Sequence, residues 1–151
     1  MAKIGGLHPT FFPVPVSEVP WAPLRHPLHQ CRVALVTTAS GHRKDHPPFD
    51  QWNEAGDWTY REIPDDTSSG ALMISHTHYA HQDADRDINC VFPLDRPREL
   101  HGDGVIGGVS PIDFCFMGYI PDPRPVVRES APAVARRLKD CGVDAVLMTS
   151  G

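Results

Sequence analysis

The sequence predicts an α/β fold with a mostly parallel, Rossmann-like (doubly wound) sheet, and three observations carry that prediction. The runs Arg32 to Thr38, Leu72 to Ser75 and Asp144 to Met148 are short, nearly continuous and apolar. This is the form taken by strands buried on both faces. A clear helix, Ala131 to Cys141, lies directly before the last run. Strand, connection, helix, strand recurs along the chain, and such connections place parallel strands by right-handed crossovers.

Each element follows from local chemistry. Residues 1–30 carry Pro9, Pro13, Pro15, Pro20, Pro23 and Pro27. Each ring removes a donor and restricts the residue before it, so an extended proline-rich arm is expected. Its aromatics Phe11, Phe12 and Trp21 suit packing against the body or a partner chain. Residues 31–151 then form one α/β domain. Arg32 to Thr38 is its first core strand, turned by Ala39-Ser40-Gly41, and His42 to Asp57 reads as a long functional loop. Thr59 to Ile63 alternates as a half-buried edge strand does, and Leu72 to Ser75 is a second buried strand. Asp95 is placed to cap a short helix through Leu100, with Pro97 tolerated in its first turn. Val105-Ile106 begins a strand, Gly107-Gly108 permits a turn, and the apolar run Phe114 to Met117 follows. Ser130 is the expected N-cap of the helix whose Val134, Leu138 and Cys141 share one face, and Gly142 ends it. Asp144 to Met148 is another buried strand. No covering helix follows Thr149-Ser150-Gly151, so the expectation is an incomplete sheet.

Composition narrows the function classes. A chain of 151 residues fits one domain, and 40% hydrophobic with 22% charged residues is ordinary for a globular protein. Fourteen Lys and Arg against nineteen Asp and Glu give a net charge of -5, with the basic residues scattered. Nucleic acid is excluded as a partner on that ground. No run approaches the ~20 apolar residues of a membrane span, so no membrane is expected. Cys31, Cys90, Cys115 and Cys141 have neither C-x-x-C nor secreted-framework spacing, and are expected to be small buried residues in the cytoplasm.

The chemistry is concentrated in Ser75 to Asp95, SHTHYAHQDADRDINCVFPLD, with three histidines and four acids directly after an apolar run. Acid and base groups at the end of a buried strand mark where an α/β domain does its chemistry. His76, His78 and His81 are the candidate catalytic residues, one of them as general acid, and Arg86 is a candidate partner for a substrate carboxylate. Ser40, Ser75, Ser110 and Ser150 stand at strand ends, and Ser40, Ser110 and Ser150 are further substrate-binding candidates. His76-x-His78-x-x-His81 also resembles the H-x-H-x-D-H zinc motif of the metallo-β-lactamase superfamily, although Ala80 stands where that motif needs its aspartate. A zinc-dependent hydrolase is therefore an alternative reading. Asp83-x-Asp85-x-Asp87 opens like a calcium loop and fails at Ile88 and Leu94. Cys90 reads as an inert thiol. No dinucleotide, Walker or G-x-S-x-G pattern occurs.

Four segments carry a resemblance to a known family: FDQWNEAGDWTYREIPDD (Phe49 to Asp66), LMISHTHYAHQDADRDINCVFPLDR (Leu72 to Arg96), DFCFMGYI (Asp113 to Ile120) and VARRLKDCGVDAVLMTSG (Val134 to Gly151). Together they closely resemble the selenoprotein B family of glycine, sarcosine, betaine and D-proline reductases. The resemblance implies reductive cleavage of a carbon–nitrogen bond in a small amino acid or amine. A selenolate attacks carbon, and thiols reduce the resulting selenoether. It also implies other reductase subunits as partners and a selenocysteine or cysteine loop directly after Gly151. The expectation is that a selenocysteine follows Gly151 and that the 151 residues alone are inactive, with no cofactor of their own. A homo-oligomer is open, and a non-catalytic assembly subunit docking through the arm is a second alternative.

Overall fold

A computed structural model describes residues 22–151, so most of the proline-rich arm lies outside the described residues. The elements run β1 (Arg32–Thr37), β2 (Gly41–Arg43), β3 (Tyr60–Pro64), β4 (Leu72–Ile74), α1 (Gln82–Arg86), α2 (Asp95–Gly102), β5 (Gly108–Val109), β6 (Ile112–Phe116), α3 (Ala131–Asp140) and β7 (Ala145–Thr149).

β1 is the centre of the main sheet. Its Val33 pairs with both Val109 of β5 and Ala145 of β7, and its Val36 with both Phe114 of β6 and Met148 of β7. A strand has two edges, so β5 and β6 follow one another along one edge of β1 and β7 occupies the other. All three run parallel to β1, and β3 closes the far side antiparallel to β6. The architecture is thus mixed α/β with a mostly parallel five-stranded sheet.

The break between β5 and β6 would leave Leu35 N–H without a ladder partner. Asp113 Oδ1 accepts that hydrogen at 2.7 Å, and Ser110 N–H donates to Val33 O at 2.8 Å. Buried backbone donors require such partners. Burial raises the Asp113 carboxyl to about 7.

Alternation along β1 gives two cores. Ala34 and Val36 face Phe114, Phe116 and the α3 residues Val134 and Leu138. Leu35 faces the other way, against Ile63, Cys115, Met117 and the segment carrying Leu72, Ile74, Ile88, Phe92 and Leu94. Phe114 and Phe92 are fully buried. Truncating either to Ala is expected to cost about 3–5 kcal/mol.

Several sequence expectations are corrected. Leu72–Ile74 does not join the parallel sheet. It pairs antiparallel with β2, so the segment read as loop from His42 begins as a strand. Asp95 does not cap α2 but is its first residue, its N–H donating to Asn89 Oδ1. Val105-Ile106 precede β5 in a turn. Ser130 does not cap α3, because a π-helical turn, Val126–Ser130, leads straight into it and the Ser130 hydroxyl donates to Trp58 O. β7 is not buried: Val146, Leu147 and Met148 are exposed. Cys90 is exposed as well, while Cys31 and Cys115 are buried. No helix among the described residues is long and apolar enough to cross a membrane.

Candidate active site

Because β1, β6 and β7 run parallel, the loops at their carboxyl ends gather on one rim of the sheet. The segment after β4 joins them there. A pocket of about 240 Å³ opens at that rim, lined by Thr38, His76, His78, Tyr79, Gly118, Tyr119 and Gly151. Pockets for drug-sized ligands run to roughly 300–1,000 Å³, so this one suits a smaller molecule.

His76 is 6% exposed, and its Nδ1 accepts the backbone N–H of His78 at 2.9 Å. Burial, with lesser contributions from His78 and His81, holds its pKa below the ordinary histidine value. His78 lies at the surface, stacked on Tyr119 with ring centroids 3.8 Å apart and planes 5° from parallel. Its Nδ1 meets Thr77 Oγ1 at 3.1 Å. Tyr79 packs edge-on against His76 at 4.7 Å and donates its hydroxyl to Ala39 O at 2.9 Å. Burial, then the Asp85 carboxylate, pushes the Tyr79 phenol up to about 12, so it stays protonated. Gly151 lies against the same ring: a Cβ built on it would fall 2.6 Å from Tyr79 Cζ. Gly118 has no room for a side chain either, since its Cβ would meet Thr38 O at 2.9 Å and His76 Nε2 at 3.4 Å.

The other candidate residues sit elsewhere. His81 precedes α1 and bonds through Nδ1 to Asp85 Oδ2 at 2.8 Å, beside Tyr79 but outside the pocket lining. Arg86 is exposed, pairs with Asp83 at 3.1 Å and borders a separate groove with Lys44 and Met73. Ser110 is buried in the β5–β6 break, where its hydroxyl donates to Ile112 O. Ser150 is exposed between β7 and Gly151. Ser40 is fully buried at the end of β1 with φ +60°, a conformation uncommon for residues other than glycine. Its backbone joins two strands, donating to Phe116 O and accepting from Ser75 N–H, and its hydroxyl has no partner among the described residues. Among the described residues, no three His, Cys, Asp or Glu side chains gather as a metal-binding set.

Sequence reasoning missed the residues that hold this rim. His42 is buried, with Nδ1 2.8 Å from Arg43 O and Nε2 2.8 Å from Ser75 Oγ. A carbonyl only accepts, so Nδ1 carries the proton and Ser75 donates to Nε2. The pair fixes the residue directly before His76. Arg61 organises the long loop, donating to Pro47 O and Pro48 O and lying 4.2 Å over the Phe49 ring. Thr37 and Thr149, register partners on β1 and β7, both donate to Val91 O. Tyr79, Gly118 and Tyr119 of the pocket lining were also missed, and they left a signal, Tyr79 inside the histidine cluster and Gly118-Tyr119 after an apolar run.

This is an α/β domain with a small, histidine-lined pocket at the carboxyl rim of its parallel strands. The chain belongs to the glycine/sarcosine/betaine reductase selenoprotein B family, whose model matches residues 3–151. It is 43% identical over 139 residues to the D-proline reductase subunit gamma of Acetoanaerobium sticklandii, a match covering 91% of this chain and 56% of that protein. The glycine reductase complex component B subunit gamma of Symbiobacterium thermophilum is 30% identical over 152 residues, covering 97% of this chain and 34% of the relative. The betaine reductase complex component B subunit beta of Peptoclostridium acidaminophilum is 29% identical over 144 residues, covering 93% and 33%. The chain therefore spans about half the length of the first and a third of the other two. No solved structure matches it.

Proposed function

We propose that this chain forms the substrate-facing, proton-handling part of a selenoprotein B-type reductase subunit that cleaves a carbon–nitrogen bond of a small amino acid or amine. The observation that carries the reading is the convergence of His76, His78, Tyr79 and Gly151 on one small pocket. Relatives named as subunits of D-proline, glycine and betaine reductases support the reaction class and point to other reductase subunits as partners. The four free cysteines suit a reducing cytoplasm. We read the parallel β6–β1–β7 core as part of a Rossmann-like, doubly wound sheet.

A selenocysteine after Gly151, which the family resemblance implies, supplies an ionised nucleophile at neutral pH. The chain's own residues do the rest. As the carbon–nitrogen bond breaks, its electron pair goes to nitrogen: an ammonium leaves as the neutral amine, whereas a free amine must first gain a proton, and we read an imidazole in the pocket as the group that keeps or supplies that proton. Tyr79 is committed to Ala39 O and forms a wall. Gly118 lets the β6 loop approach His76 closely.

The test is substrate-dependent oxidation of a dithiol with D-proline, glycine and betaine. The 151 residues alone are expected to show none, and the chain extended by a selenocysteine- or cysteine-bearing portion of the family's kind is expected to turn over one of them. Turnover by the 151 residues alone, or none by the extended chain, sinks the proposal.

A further inference from the structure

The hydrogen bonds of the pocket histidines point to opposite tautomers. His76 Nδ1 faces a backbone N–H, which only donates, so the proton of the neutral ring sits on Nε2. A second proton on Nδ1 would point at that N–H. His76 is thereby held as a neutral donor, and its Nε2 edge looks toward Gly118 in the pocket lining. His78 is the reverse case. Thr77 Oγ1 lies 3.3 Å from Gln51 O, a carbonyl that only accepts, and we assign the hydroxyl proton to it. At 3.1 Å from His78 Nδ1, the same hydroxyl therefore accepts, and His78 carries its proton on Nδ1. Its Nε2 is left with a lone pair. The two rings stand 5.5 Å apart and nearly perpendicular.

Resting on the reductase reading above, we propose that His76 and His78 together select α-amino acids that carry an N–H. The His76 Nε2–H donates to the substrate carboxylate, and the His78 Nε2 accepts a hydrogen from the substrate ammonium. The ammonium keeps its own proton as it takes the bond pair and leaves as a neutral amine, hydrogen-bonded to His78 Nε2, and His76 binds without changing its charge. A primary, secondary or tertiary ammonium satisfies both rings. A quaternary ammonium has no N–H and leaves His78 Nε2 unpaired, the kind of loss that discriminates strongly between close analogues. Environments that drive two neighbouring groups apart are what separate acid from electrostatic partner in many sites. Here the driver is a main-chain amide on one ring and a threonine hydroxyl on the other.

Long-range ¹H–¹⁵N spectra of the ¹⁵N-histidine-labelled chain report each tautomer directly. The expected result is Nε2–H for His76 and Nδ1–H for His78, with Thr77→Val changing His78 alone. The same spectra, titrated with N,N-dimethylglycine and then with N,N,N-trimethylglycine, differ by one methyl group and one N–H. Dimethylglycine is expected to bind at least tenfold more tightly, and His78→Phe, which keeps an aromatic ring on Tyr119, is expected to erase that preference. A proton on His76 Nδ1, or equal binding of the two probes, overturns the inference and leaves the reductase reading standing. Failure of dimethylglycine, glycine and D-proline alike to perturb either ring overturns the reductase reading, and the ligand assignment falls with it.

Discussion

The interior of the fold and the carboxyl rim of its main sheet both bury titratable side chains, and they use them differently. Inside, Asp113 and His42 spend their polar atoms on the chain's own groups: Leu35 N–H for the first, Arg43 O and Ser75 Oγ for the second. At the rim, His76 has one nitrogen held by the main chain and the other turned toward an open pocket. Burial is the same in kind, so burial does not mark the site. The unspent atom does.

The largest effect that would sharpen this contrast is in Asp113. Burial raises its folded pKa to about 7, above the ordinary carboxyl value of 3.8. Between those values the folded chain holds a proton that the unfolded chain has lost, so stability is full below the lower value and falls as pH rises through the upper one. The shift corresponds to about 4 kcal/mol across that window. Asp113→Asn keeps an acceptor for Leu35 and is expected to flatten the slope in urea unfolding series at pH 4 to 7.5. An unchanged slope would mean that Asp113 is not a group buried for the fold's sake.

A smaller loss, about 1–3 kcal/mol, is expected from His42→Leu, which orphans the buried Ser75 Oγ while the part-buried Arg43 O can turn to water. His76→Leu, in contrast, leaves the His78 N–H near the surface and is expected to cost much less. Equal losses of stability in the two variants would erase the distinction between interior and rim. Smaller again is Gly56→Ala. Gly56 has φ +78°, and a Cβ there would fall 2.4 Å from Tyr119 O, so strain of about 1–3 kcal/mol is expected. The readout is displacement of the Tyr119 ring from His78, seen as a change in the His78 ring shifts. A variant with native His78 shifts would show that the loop carrying Gly56 does not support the rim.

How much of this was legible depended on whether the information was local. β1, the edge strand β3 and the amphipathic α3 follow from patterns within a few residues, and of the histidine cluster His76 and His78 line one pocket while His81 does not. Whether a serine reaches the pocket was not local, and none of Ser40, Ser110 and Ser150 lines it. Ser110 looks like Ser40 in sequence, yet one fills a break between two strands and the other turns the chain at the end of β1. β4 read as a core strand from its apolar run, and Leu72 and Ile74 are indeed buried. That burial comes from the layer beneath the sheet, and only the pairing with β2 tells the two apart. His42 and Ser75 are 33 positions apart, and no spacing rule links them. Arg61 gave no signal, since its value lies in two prolyl carbonyls that the fold happens to bring together.

β7 carries one more consequence. Among the described residues it pairs only with β1, and Val146, Leu147 and Met148 stand 41%, 47% and 71% exposed along it. A rim of unpaired main chain flanked by greasy side chains, without a lysine or proline to blunt it, is an invitation to stack. In a concentrated sample the purified polypeptide should grow sticky there first, and detergent or low protein concentration will decide whether its spectra are those of single molecules.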